Sequence, residues 1–244
     1  IKNLSLKTIK QTSINFPSFH EQQKIANFLT QVDRKIELLE KQQAALIQYK
    51  KGIMQKIFNQ EIRFKIKNEA GKLVEPPDWE EKKLGEISNI RTGKSNRADS
   101  NLKSQYVFFD RSMDIRRSNI YIFDGEAIIM AGEGQEFIPK YFVGKFDLHQ
   151  RTYAIMDFKN TNGKFLYYLI HQKRNYFYSQ AVGSTVKSLR LPIFQGMELF
   201  MPMLREQNKI ADFLSAIDTK IEAAAERSRS HSEWKKGLLQ KMFV

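Results

Sequence analysis

The sequence predicts an α+β protein, a mixed α/β domain combined with two long helices, and three observations carry that expectation. A 44-residue stretch recurs 185 residues further along the chain. Both copies have an apolar heptad rhythm, and the segment between them carries short strand-like runs with one amphipathic helix.

The repeat sets the organisation. PSFHEQQKIANFLTQVDRKIE at 17–37 returns as PMLREQNKIADFLSAIDTKIE at 202–222, and YKKGIMQKIF at 49–58 returns as WKKGLLQKMF at 234–243. Aligned without a gap, residues 16–59 and 201–244 are identical at 18 of 44 positions. Leu4 and Leu6 fall on Leu189 and Leu191 at the same offset, so residues 1–17 read as the tail of an earlier module. Solenoid units run to roughly 20–50 residues; a 185-residue period points instead to a duplicated gene half.

Each copy reads as a helix. Ile25, Leu29, Val32, Ile36, Leu39, Gln43, Leu46, Lys50, Ile53 and Ile57 step by four and three, a heptad seam with eight apolar members of ten. The second seam, Ile210, Leu214, Ile217, Ile221, Ala224, Ser228, His231, Lys235, Leu238 and Met242, has seven. Ser18 followed three residues later by Glu21, just after Pro17, is a capping-box pattern that starts the first helix. Helices are expected at 20–58 and 205–243. The first would be about 58 Å long at 1.5 Å per residue and needs a partner along its length. The rhythm fits a dimerisation arm, or two copies paired antiparallel as rigid spacers.

Residues 61–79, ending in the turn-rich GKLVEPPDW, form a linker, and 80–200 form the mixed domain. Strands are expected at Tyr106–Phe109, Asn119–Phe123, Ala127–Ala131, Tyr141–Val143 and Tyr153–Asp157, with a helix at Gly163–Ala181.

Composition narrows the function. Forty Lys and Arg against 27 Asp and Glu give a net charge of +13, which suits a polyanionic partner, nucleic acid first. The absence of cysteine excludes disulfides, thiolate metal sites and a cysteine nucleophile, and fits a reducing cytoplasm. No apolar run approaches the ~20 residues that span a bilayer, so no membrane association is expected. Ile1 is not a start methionine, and the chain reads as a fragment or a processed product.

Strings that imitate catalytic sites fail on spacing. Gly93-Lys94-Ser95 resembles the end of a phosphate-binding loop, yet Ser88 stands where that loop needs a glycine. Pro77-Asp78 with Glu80-Glu81-Lys82 spells a nuclease core, but those carboxylates normally come from separate strands. Gly132-Glu133-Gly134 has two glycines of a dinucleotide fingerprint and reads as a tight turn. His20, His149, His171 and His231 are too scattered for a zinc pair. No catalytic residue, metal or cofactor is expected.

Basic residues of the mixed domain fall mainly in expected loops: Lys94 and Arg97, Arg111, Arg116 and Arg117, Lys140 and Lys145, Lys187 and Arg190. Arginine and lysine reach phosphates there, arginine also reads guanine bidentately, and Asn96, Gln105, Asn119 and Gln135 suit adenine edges. The expected DNA-binding set is Lys94, Asn96, Arg97, Arg111, Arg116, Arg117, Lys140, Lys187 and Arg190, with Lys94, Arg97, Arg111, Arg116, Arg117, Lys187 and Arg190 lining one face. A coiled-coil adaptor with a basic surface is the rival reading, and salt dependence separates the two.

EQQKIANFL…DRKIELLEKQ…YKKGIMQKIF, its copy EQNKIADFL…DTKIE…WKKGLLQKMF, and the strings YIFDGEAIIMAGEG and GSTVKSL resemble the specificity subunits of Type I restriction-modification systems. The resemblance covers nearly the whole chain. It implies that 1–17 end a first target-recognition domain, that 18–60 and 201–244 are conserved helical regions, and that 80–200 are a second recognition domain. It further implies a non-catalytic subunit on double-stranded DNA, with the helices antiparallel as a ruler. Methyltransferase and restriction subunits would be the partners and would carry adenine methylation and ATP-driven cleavage. Apolar Ile1, Leu4, Leu6, Ile9, Ile14 and Phe16 would then lack a body to cover them; either a second copy covers them in a two-fold homodimer, or the tail folds back on its own helices in a monomer.

Overall fold

The computed structural model describes residues 5–13, 16–112 and 114–242. In chain order the elements are α1 (Leu6–Gln11), α2 (Phe19–Phe58), β1 (Ile66–Lys67), β2 (Leu73–Val74), β3 (Glu80–Lys83), α3 (Leu84–Ile87) and β4 (Asn89–Thr92). Then come β5 (Tyr106–Phe109), β6 (Arg116–Ser118), β7 (Phe123–Ala131), β8 (Glu133–Gly134), β9 (Lys140–Leu148) and β10 (Thr152–Met156). The chain closes with α4 (Gly163–Gln172), α5 (Asn175–Gln180), β11 (Lys187–Ser188), α6 (Leu191–Gln195), β12 (Glu198–Met201) and α7 (Leu204–Met242). They divide into two compact units, Ile1–Gln48 with Asp218–Val244, and Tyr49–Ile217.

In the first unit, residues 19–48 of α2 lie with 218–242 of α7. Ser18 Oγ accepts the Glu21 N–H, so the expected cap starts α2. The expected seam is the stripe removed from water: Val32 and Leu39 are buried, and Ile25, Leu29, Ile36, Gln43 and Leu46 are half-buried. On α7, Ala224 and Ser228 are buried and Ile221, His231, Lys235 and Leu238 half-buried, while Met242 is exposed and drops out of the seam. Phe28 meets Trp234 edge to face at 5.9 Å, and Lys235 bonds to Asp33. Ser5 caps α1 through the Thr8 N–H, yet α1 buries none of its residues: Leu6 is 74% and Ile9 61% exposed. Ile1, Leu4 and Ile14 lie outside the described residues, as do Phe243 and Val244.

The second unit is the mixed domain with the inner ends of both helices. Among the described residues the main sheet runs β4-β10-β7-β9-β5-β6, antiparallel except for the parallel pair β5 and β9. Strand β10 is buried at every position, which explains why TYAIM shows no alternation. Phe109, Phe123, Ala127, Ile129, Phe146, Leu148, Ala154 and Met156 form the core on one face. On the other face Tyr153, paired opposite Met130, packs at 4.3 Å on Phe194 of α6, which also touches Phe177 of α5. Ser95, just past β4, bridges His149, just past β9, so the sheet curls back although β10 and β7 lie between those strands.

At the helix ends Arg63 grips the fully buried Glu206, and Phe64 packs on Phe213. The start of α7 thus sits beside the chain leaving α2, whereas in the first unit early α2 sits beside late α7. The two helices run antiparallel, which makes the pairing of the two copies the correct branch of the expectation. The repeat also preserves one detail: Gln22 Nε2 donates to Pro17 O and Gln207 Nε2 to Pro202 O, both at 2.8 Å.

Three local expectations are corrected. Asn119–Phe123 is not a strand, because Ser118 Oγ accepts the Ile120 N–H and turns the chain before β7 begins. The expected helix 163–181 breaks at Lys173 and Arg174; the Tyr176 hydroxyl bonds to Ile193 O and Phe177 packs on Phe194, which anchors α5 separately. Arg116 and Arg117 lie in β6, Lys140 and Lys145 in β9 and Lys187 in β11, not in loops, since ladder pairing claims their backbones.

Candidate nucleic-acid interface

Several segments are stitched around the turn 149–151 between β9 and β10. Gly93 has to be glycine: a Cβ there would stand 1.7 Å from the Leu148 carbonyl oxygen. That close approach lets Gln150 N–H donate to Ser95 O at 3.0 Å while Ser95 Oγ donates to the buried Asp147 at 2.8 Å. His149 N–H donates to Phe109 O, which brings in the end of β5. Gly132 N–H donates to Arg151 O at 2.8 Å, and Glu133 then pairs across β8 and β11 with Ser188. The strings set aside as nucleotide motifs are close backbone crossings that bring these loops together.

The side chains that result carry both signs, with the basic ones in excess. Arg97, Asp110, Arg111, Glu133, His149, Gln150 and Arg151 line a cavity of about 260 Å³. An adjoining one of about 180 Å³ adds Gln135, Glu136 and Lys140, and a third of about 330 Å³ adds Arg190. Arg97 donates to Asp110 at 2.9 Å, Arg151 to Glu133 at 2.5 Å, and Arg111 lies 3.7 Å from the other Glu133 oxygen. Gln150 Nε2 donates to Asn96 Oδ1 at 2.7 Å.

Burial pushes the Asp110 carboxyl up, but two Ser112 hydrogen bonds with the charges of Arg97 and Lys140 outweigh it and hold it below the usual carboxylate range. Burial lowers the Lys140 ammonium against the pull of Asp110 and Asp114. It also lowers His149, whose Nδ1 accepts the Arg151 N–H.

Of the expected set, Asn96, Arg97, Arg111, Lys140 and Arg190 come together here, with Lys94 exposed one residue before Ser95. Lys187 sits opposite Gly134 with its ammonium over Tyr178. Arg116 and Arg117 depart from the single-face expectation. Neighbours on a strand point to opposite faces: Arg116 turns to Ser100, and Arg117 reaches Gln105 O. Arg151, His149 and Gln150 were not anticipated. The signal was present, a polar HQR triplet between the two strand-like runs. Among the described residues no group of three or more His, Asp or Glu side chains is placed to hold a metal ion.

Residues 1–48 and 76–229 match the family described as Type I restriction modification DNA specificity domain. The chain is 34% identical over 160 residues to the Type I restriction enzyme EcoDI specificity subunit of Escherichia coli, covering 65% of this chain and 35% of that protein. It is 25% identical over 277 aligned positions to the MjaVIII specificity subunit of Methanocaldococcus jannaschii, covering all of this chain and 64% of that one. Among solved structures, the Type I S subunit from M. genitalium superposes with a TM-score of 0.70 at 18% identity, over 99% of this chain and 66% of that one. The HsdS subunit from Thermoanaerobacter tengcongensis gives 0.52 at 16%, over 94% and 60%. The chain thus spans about a third to two thirds of the length of these relatives.

Proposed function

The chain belongs to the family of Type I restriction modification DNA specificity domains, and on that premise we propose that it recognises double-stranded DNA as part of a non-catalytic specificity subunit. The segment 80–200 acts as a target-recognition domain and reads one half of a bipartite site. The helical regions 18–60 and 201–244 hold it in register as a ruler and offer a docking surface to methyltransferase subunits, with restriction subunits joining that assembly. No cofactor of its own enters the scheme. Through the exposed apolar residues Leu6, Ile9 and Phe16 two copies pair about a two-fold axis, which favours a palindromic interrupted site.

The observation that carries this reading is the group Arg97, Arg111, Arg151 and Arg190 around one sheet end of a family member. Guanidinium groups there reach phosphates and guanine edges together. Fluorescence anisotropy with a duplex across a salt series tests it. Affinity is expected to fall by about 0.9 log unit per phosphate contact for each tenfold rise in salt, and replacing Arg97, Arg111 and Arg151 together should weaken binding at least tenfold. Salt-insensitive or absent duplex binding would leave the adaptor reading in place. No helix among the described residues is long and apolar enough to cross a membrane.

A further inference from the structure

Two carboxylates sit in the middle of this basic cluster, where they repel phosphate. Both are withdrawn from water: the Glu133 side chain is 15% and that of Asp110 3% exposed. Three of their four oxygens accept hydrogen bonds. Asp110 Oδ1 accepts the Ser112 N–H and hydroxyl, and Oδ2 accepts Arg97. Glu133 Oε1 accepts Arg151, and Oε2 faces Arg111. The backbones are fixed as well, Glu133 by its ladder pairing with Ser188 and Asp110 by following β5 directly. The three arginine side chains are each more than half exposed; Arg97 and Arg151 are hydrogen-bonded at one edge, Arg111 is ion-paired at 3.7 Å, and all three are open to solvent elsewhere. A guanidinium has five N–H donors and needs two, in a flat fork, for guanine O6 and N7.

We propose that Glu133 and Asp110 are positioning residues for sequence reading: Glu133 orients Arg111 and Arg151, and Asp110 orients Arg97, as pre-set forks for guanine. The inference rests on the DNA-recognition reading above. An unrestrained arginine samples many rotamers and is ordered only on binding, so a fork held in advance gains discrimination. The arrangement gives up general attraction in return, because Arg111, Glu133 and Arg151 together carry one net positive charge where two free arginines carry two.

E133Q separates the two effects, since glutamine keeps the shape and removes the charge. The intact chain and E133Q are each used to select duplexes from a randomised library. The expected result is a guanine-containing motif for the unaltered chain and roughly tenfold weaker guanine discrimination for E133Q. Affinity of E133Q for unrelated duplex should rise roughly twofold, with one phosphate-repelling charge gone. R151K, which keeps the charge and loses the fork, should lose the discrimination without the gain. A merely structural role would lower specific and unrelated binding alike, and that outcome, or an unchanged motif, overturns the proposal. No motif for the unaltered chain would overturn the DNA reading itself. Nitrogen-15 NMR of the guanidinium groups judges positioning without DNA: slowed rotation for Arg151 that is lost in E133Q is expected, and free rotation in the unaltered chain counts against it.

Discussion

Removal of the Arg63 guanidinium should unfold the second unit at a markedly lower temperature. Glu206 is fully buried and accepts Arg63 Nε on one oxygen and Nη2 on the other, both at 2.9 Å, with the Phe64 N–H at 3.2 Å as its third donor. Taking away one partner of a buried pair leaves an uncompensated charge and costs about 3–5 kcal/mol. Arg63 also donates to Pro77 O at 2.6 Å and lies 5.8 Å from the centroid of the Trp79 ring, each adding up to about 1 kcal/mol. At about 2–4 °C per kcal/mol for a unit of this size, R63A should melt roughly 6–28 °C lower by scanning calorimetry. The repeat supplies its own control. Glu21 holds the same place in the first copy and is exposed, so E21A should shift stability by less than about 0.5 kcal/mol while E206A costs several. R63M/E206L, which removes both charges, should recover most of the loss. An R63A protein within 1 kcal/mol of the unaltered one, or equal effects of E21A and E206A, would refute the assignment.

F194A removes a ring packed between Tyr153 and Phe177 and should cost about 3–5 kcal/mol in urea unfolding. G93A forces a methyl against the Leu148 carbonyl; it should displace the 93–97 loop and abolish selective duplex binding, seen as loss of the amide protection of Gln150 in hydrogen exchange. Asp110 binds its proton less readily folded than unfolded. Its stabilising contribution is therefore complete above the ordinary carboxylate range near pH 4 and disappears as pH falls below it. D110N should flatten that acid limb, and an unchanged acid profile would count against the Arg97 pairing. Light scattering across a concentration series should show two-fold association through Leu6, Ile9 and Phe16, and a strictly monomeric mass at high concentration would exclude it.

The helices were legible because a heptad seam is a local, periodic signal: every expected seam position but Met242 is at least half removed from water. The strands at 106–109, 127–131 and 141–143 were legible from alternating or apolar runs, though the last extends from Lys140 to Leu148 across the charged Lys145. What stayed hidden depends on tertiary pairing. EEKK in β3 has no strand character, and its edge is defined by Met201 and Phe200 some 120 residues away. The site was legible in kind and only partly in position. Arg97, Arg111 and Arg190 belong to the expected set and Arg151 does not, and nothing in sequence spacing places the four side by side, because the curl of the sheet and two glycine crossings do so. Nothing in the sequence singles out Glu133 and Asp110 among the acids, since their partners lie 18 and 13 residues away.

A specificity subunit is defined by choosing the DNA sequence on which its partners act. Co-expression with cognate methyltransferase subunits in cells that lack other adenine methylation, followed by methylome sequencing, measures that choice directly. Adenine methylation is expected to be confined to one motif that changes or relaxes when Arg111 and Arg151 are replaced. Methylation at a motif indifferent to those replacements would contradict it.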